Sequence, residues 1–401
     1  MAEKFEQLSV EEQQQLMEKY DPEAATRKLK GPLGWIVFFG LLSFSLFQLY
    51  ASIFQTLPKQ ILLSIHLGFA LSLIFLLFPA RKKNLHRTNV GIVNIILSLL
   101  SIGVGAYLPL MLDDIVQRIG IMTPLDFTVG LVAVLLVLEA TRRAVGLPIT
   151  IIASLFLLYA YFGPYMPGFL AHRGVNLEGL VKTMFFTTEG IFGTPLYVSA
   201  TYIFVFLLFG AFLVKTGVGE YFNDLALVVA GRRIGGPAKV AVFSSALQGT
   251  ISGSSVANVV TSGSFTIPMM KRLGYGKEFA GAVEATASTG GQLMPPVMGA
   301  AAFLMVEFIG GISYWEIAKA AAIPAILYFA GIWMMTHFEA KRIGLRGLTE
   351  EEMPNRKEVL GKIYLLIPIL IVILLLISGM SVMRAALWSI VAIIAVSALK
   401  K

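Results

Sequence analysis

A chain of 401 residues that is 56% hydrophobic and 14% charged carries too few charges for a soluble domain, where about a quarter of the residues are charged. It has no cysteine, which excludes disulfides, thiolate metal sites and cysteine nucleophiles. The formal net charge of +8 fits basic residues held on the cytoplasmic side of a membrane; no basic face with interleaved aromatics points to nucleic acid.

Residues 1–30 form a polar segment in which "EEQQQLMEK" has helical character. This segment lacks the apolar core of a cleavable signal and is expected in the cytoplasm. Apolar spans follow at about 32–54, 61–79, 90–112, 125–140, 147–163 and 192–214. After a polar interval they resume at about 279–309, 317–337, 363–383 and 385–399. Several exceed the roughly 20 residues that cross a bilayer as a helix. The fold class is therefore an all-α polytopic membrane protein, with about ten transmembrane helices plus one re-entrant helical hairpin; a β-barrel would show short alternating segments instead. Between the spans, "NLEGLVKTMFF" reads as an interfacial helix in an outer loop. "GVGEYFNDLALVVA" (217–230) is amphipathic, and fits equally an interfacial helix or the extended end of the preceding span.

The re-entrant element is read from 239–270. Thirty-one uncharged residues separate Lys239 from Lys271, too few for two crossings and more than one crossing needs. Two short helices meeting at a tip inside the membrane fit that length. With the N-terminus in the cytoplasm and 239–270 entering and leaving on one side, 26 of the 32 Lys and Arg residues fall on inner segments. The positive-inside rule supports that arrangement. Backbone at membrane depth is tolerated where it is buried in protein or lines a cavity, so the tip predicts a site.

Two constellations carry chemistry. In "GTISGSSVANVVTSGS", hydroxyl, amide and main-chain oxygens can replace the water around an alkali cation, and half-helix N-termini offer N–H groups to an anion. The candidates are Ser252, Gly253, Ser254, Ser255 and Asn258, with Gly249 and Gly253 permitting the turn. The second is "EATASTGGQLMPP" (284–296), which interrupts the span 279–309. Gly290 and Gly291 weaken the helix and Pro295 and Pro296 remove two donors, so main-chain groups are freed to line a site. The bland readings are close helix packing for the small residues and a mere kink for the prolines. Glu284 is an ionisable group within a span, or else stands near the interface six residues after Glu278. A serine-hydrolase reading of "ISGS" is weak because Thr250 occupies the place where a Gly-x-Ser-Gly loop has glycine. His66, His86, His172 and His337 show no metal-ligand spacing.

At these residues the chain resembles the tripartite ATP-independent periplasmic (TRAP) transporters. "GTISGSSVANV", "IPMMKRLGY" and "GGQLMPPVMGAAAF" are similar in particular to fused permeases of the TAXI type. The resemblance implies a small-subunit-like four-helix domain at 31–145 and a large-subunit-like transport domain at 146–401, opened by "RAVGLPITIIASLFLLYAYFG". It implies an elevator-type transporter built on inverted repeats, not an enzyme, in a bacterial or archaeal cell membrane. Organic acid anions such as dicarboxylates or amino acids would be its substrate, and an extracytoplasmic TAXI-type solute-binding protein would deliver them. Sodium would be the coupling ion, with no other cofactor. Ser252, Ser254, Ser255 and Asn258 would hold sodium and substrate, and Thr289, Gly290 and Gly291 would complete that site.

The family's large subunit has a second hairpin and broken helix, whereas residues 317–401 hold three ordinary spans. The second repeat is thus expected to be missing, and the chain to be a fragment or split product. A further chain would then supply the C-terminal half, and this one would act alone only as an assembly scaffold.

Overall fold

The computed structural model describes residues 12, 26–81, 90–118 and 121–398. The segment "EEQQQLMEK", apart from Glu12, and the basic loop over 82–89 lie outside the described residues. Those described form helices, turns and irregular segments with no strand, as expected of an all-α membrane protein. They separate into two compact units, residues 26–201 and residues 202–398.

The first unit contains α1 (Pro32–Phe54), α2 (Lys59–Leu77), α3 (Ile92–Gln117), α4 (Pro124–Ala144), α5 (Leu147–Phe162) and α6 (Leu177–Phe186). It closes with the short α7 (Thr194–Val198), which runs through a π-helical turn into α8 (Phe204–Lys215). Proline in the first turn of α1, α4 and α5 starts each helix where its missing N–H costs nothing. Thr123 and Asp126 add a reciprocal capping box to α4. Helices α2 and α3 pack through glycine: a Cβ on Gly105 would lie 2.5 Å from the Cα of Gly68. Leu63, Leu67, Phe75, Leu108, Leu136 and Phe185 form the core around that crossing. Asn176 caps α6, so "NLEGLVKTMFF" is the separate helix its sequence suggests.

The second unit contains α8, α9 (Val218–Ala230), α10 (Gly236–Ser252), α11 (Ser255–Arg272), α12 (Lys277–Gly290) and α13 (Ala300–Ile309). The long α14 (Tyr314–Arg342), the short α15 (Arg356–Gly361), α16 (Ile367–Ile377) and α17 (Val382–Ala398) follow. Gly217, at a φ of +84°, breaks the chain between α8 and α9. The amphipathic segment is thus its own helix, not a continuation of the span. It lays Tyr221, Phe222, Ala226 and Ala230 inward and packs on α10.

Helices α10 and α11 are the expected hairpin. Their arms are 17 and 18 residues long, or about 26 Å each at 1.5 Å per residue. They are longer than the short helices inferred from the uncharged stretch, because Lys239 and Lys271 lie within the arms and do not bound them. Helices α12 and α13 are the two halves of the expected broken helix, and both hairpin arms pack on α12.

Among the described residues, seven helices are long and apolar enough to cross a bilayer, with α7 and α8 taken together as one. An eighth appears if the pair Glu350–Gly361 and Ile363–Ile377, bent by 68°, is one span. The count falls below ten because 279–309 is interrupted and the last two apolar helices are short. Gly379, at a φ of +82°, ends the helical run short of the 363–383 expected from apolar composition.

Candidate functional site

The site is built where the hairpin turn meets the break between α12 and α13. Helix α10 is buried along most of its length, including Ser244, Ser245 and Gln248. It ends at Gly253, whose φ of +59° is left-handed. A Cβ there would also stand 2.2 Å from the main-chain oxygen of Met298, so the position admits only glycine. Ser254 then opens α11 as its N-cap, its hydroxyl accepting from the N–H of Ala257 at 3.3 Å. The sequence "SGSS" is therefore the last residue of one helix, the turn, the cap and the first residue of the next.

The break is equally specific. Helix α12 ends at Gly290 and a single 3-10 turn covers Gly291–Leu293. The peptide between Pro295 and Pro296 is cis, and Met298 is left-handed at a φ of +54°. Some freed carbonyls find donors: the Tyr314 hydroxyl lies 2.7 Å from the oxygen of Pro296, and the N–H of Gly299 donates to Gln292 at 2.9 Å.

Hairpin and break touch through glycine and amide. A Cβ on Gly249 would lie 2.3 Å from the Cα of Gly291. One on Gly291 would lie 2.9 Å from Nδ2 of Asn258. The side chain of Gln292 donates to the Ser255 hydroxyl at 3.3 Å. Asn258 is buried and donates from Nδ2 to the main-chain oxygen of Ser245 at 2.9 Å. Two oxygens here are buried without a partner: Oδ1 of Asn258 and Oγ of Ser252. Buried acceptors rarely go unpaired unless a water or an ion meets them.

The structure thus places Ser252, Gly253, Ser254, Ser255, Asn258 and Gly291 at one junction, with Pro295 and Pro296 in the connection that reaches it. Thr289 and Gly290 differ. Thr289 is exposed and its hydroxyl is engaged by Ala285 of its own helix at 2.8 Å. Gly290 makes room for α14, since a Cβ on it would meet the Tyr328 ring at 2.5 Å.

Glu284 is fully buried inside the protein, among the hairpin arms that pack on α12. Oε1 accepts from Ser245 and Ser288, each at 3.0 Å, and also from Ser262; Oε2 accepts from Thr266. None of these four hydroxyls was singled out from the sequence. A signal existed: Asn258, Ser262 and Thr266 repeat every four residues, as do Glu284 and Ser288, which stacks polar groups on facing helix surfaces. A second polar cluster, in which Gln248 donates to Asn223 at 3.0 Å, ties α10 to α9.

Comparisons with known proteins place the chain among transporter permeases. The profile of the family described as "Tripartite ATP-independent periplasmic transporter, DctM component" matches residues 132–401. The chain is 33% identical over 208 residues to the C4-dicarboxylate TRAP transporter large permease protein DctM of Vibrio cholerae, covering 50% of this chain and 43% of that protein. It is 26% identical over 140 residues to a putative TRAP transporter large permease protein of Haemophilus influenzae, covering 35% of this chain and 32% of the other. It is 26% identical over 171 residues to the sialic acid TRAP transporter large permease protein SiaM of Vibrio cholerae, covering 42% and 39%. The chain spans less than half the length of these curated relatives.

Proposed function

Because the chain belongs to the DctM component family of tripartite ATP-independent periplasmic transporters, we propose that it forms part of a sodium-coupled importer of organic acid anions. Its substrate would be a dicarboxylate or an amino-acid-like anion, handed over by an extracytoplasmic solute-binding protein of the TAXI type. Residues 31–145 would correspond to the small subunit and 146–401 to the large one, with the N-terminus in the cytoplasm. The hairpin and the broken helix would move as one body in an elevator motion, sodium serving as the coupling ion.

The observation that carries this reading is the pair of unpartnered oxygens at the junction, Oδ1 of Asn258 and Oγ of Ser252. Uncharged oxygens beside an unwound helix are the ligands that sodium takes in discontinuous transporter helices. Nearby, the N–H groups of Ser255 and Val256 at the start of α11 have no intrahelical acceptor and suit a carboxylate. No lysine or arginine lies between Lys239 and Lys271 or between Lys277 and Glu307, so anion recognition here rests on hydroxyls and N–H groups.

Thermal unfolding of the protein in lipid nanodiscs tests the proposal. Sodium chloride should raise the midpoint above that in potassium or choline chloride, and a matching organic acid should add to it only with sodium present. Equal midpoints in all three salts would refute sodium as the ligand of this site.

A further inference from the structure

Glu284 has no part in the proposed sodium site, yet it is a carboxyl group buried at the centre of the hairpin assembly. No lysine or arginine among the described residues is ion-paired with it. Each element packed on α12 carries its charges elsewhere. Lys239 of α10 is bonded to His337 of α14 at 2.9 Å. Lys271 and Arg272 lie in the last turn of α11. In α14, Lys319 pairs with Glu316 and Arg342 with Glu339, and Lys341 is in the last turn. On α12 itself, Lys277 and Glu278 are in the first turn and exposed. What surrounds Glu284 is hydroxyl groups.

Those hydroxyls are short of protons. Ser262 has one, and two acceptors within reach: Oε1 of Glu284 and the main-chain oxygen of Asn258, at 2.7 Å. Thr266 also has one, facing Oε2 of Glu284 and the main-chain oxygen of Ser262, at 3.0 Å. If both protons go to the carboxylate, two close oxygen pairs are left with nothing between them. A proton on Oε2 resolves one of them: the carboxyl donates to Thr266, which donates to Ser262. An ionised carboxylate in this setting would have hydroxyl groups but no paired cation to offset the cost of desolvation. Packing against Gly263 is close, since a Cβ there would lie 2.8 Å from Cγ of Glu284, which leaves little room for a hydrated ion.

The same groups reach the tip. Ser245 offers its hydroxyl to Glu284 and its main-chain oxygen to Nδ2 of Asn258. Ser262 bonds the main-chain oxygen of Asn258 and faces Glu284. We propose that Glu284 is a proton-binding site, neutral in the state described, whose proton is linked through Ser245 and Ser262 to cation binding at Asn258. Releasing the proton adds a negative charge near the cation and should strengthen its binding. The linkage part rests on the sodium reading above; the proton site does not.

Infrared spectra of the protein in nanodiscs, with the glutamate side chains labelled at the carboxyl carbon, test the site directly. The wild type at neutral pH should show the carbonyl band of a protonated carboxylic acid, moved by the label and by deuterium exchange. Glu284→Gln should lose that band and Glu278→Gln should keep it. Absence of the band from the wild type, or its persistence in Glu284→Gln, would overturn the proposal. Thr266→Val retains Glu284 but removes its Oε2 partner, and should shift the band; an unshifted band would also overturn it. For the linkage, sodium affinity should rise with pH, by at most about tenfold per unit, and be flat in Glu284→Gln. A pH-independent affinity in the wild type would overturn the linkage, and absence of sodium binding would overturn the sodium reading, each leaving the infrared result to stand alone.

Discussion

Replacing Gly249 by alanine places a methyl group where α10 meets the helix break. The new Cβ would stand 2.3 Å from the Cα of Gly291, 2.9 Å from its oxygen and 3.0 Å from its carbonyl carbon. Carbon atoms in contact sit about 3.5–4.0 Å apart, so the two backbones must part by roughly 1 Å or more. Both sides of this contact are main chain, and no flexible side chain can swing away. Overpacking of this kind costs about 1–3 kcal/mol. In a unit of some 200 residues that corresponds to a fall of roughly 2–12 °C in the unfolding midpoint. The assay is thermal unfolding in nanodiscs, with Gly281→Ala as the control. Nothing lies within 4 Å of a Cβ at Gly281 in the interior of α12, so that change should stabilise by about 0.5–1 kcal/mol through helix propensity. A Gly249→Ala protein as stable as the wild type would refute the close contact of hairpin and break.

Three further outcomes are expected. Gly253→Ala combines a left-handed backbone with a clash against Met298 and should destabilise more than Gly249→Ala, as read by the same midpoint. Asn258→Ala removes a bond to Ser245 and an unpaired oxygen together; it should cost about 1–3 kcal/mol and abolish the sodium-dependent rise in midpoint, whereas Thr289→Ala should leave that rise intact. In the loop after α14, the main-chain N–H of Thr349 bonded to Glu352 holds its carboxyl below the usual range, against the opposing effect of burial. The Thr349 hydroxyl and the charges of Arg346 and Arg272 act in the same sense. A depressed carboxyl contributes stability that is present above its unfolded value, about 4.3, and is lost as pH falls through the folded one. Glu352→Gln should therefore be less stable than the wild type at neutral pH, with the difference closing in acid.

The hairpin and the break were legible because glycine and proline mark them locally: "SGSS" contains the turn and its cap, and "GGQLMPP" the end of α12. Their meeting was expected from the family resemblance alone, since nothing in the residues themselves pairs Gly249 with Gly291 or Ser255 with Gln292. The contact of Gly290 with Tyr328 was not legible for the same reason, because Tyr328 lies in α14. Glu284 was visible as an anomaly, but its burial follows from both hairpin arms packing on α12, which no local pattern in the sequence records. Gly217 and Gly379 set two boundaries through left-handed backbone, where apolar composition alone ran on.

Equilibrium binding of radioactive sodium to the purified protein in nanodiscs tests the central claim most directly. Saturable binding is expected in the wild type, displaced by unlabelled sodium and not by potassium. It should be lost in Asn258→Ala and weakened in Ser252→Ala. Undiminished binding in both variants, or none in a folded wild type, would contradict the assignment of the ion site to the hairpin tip.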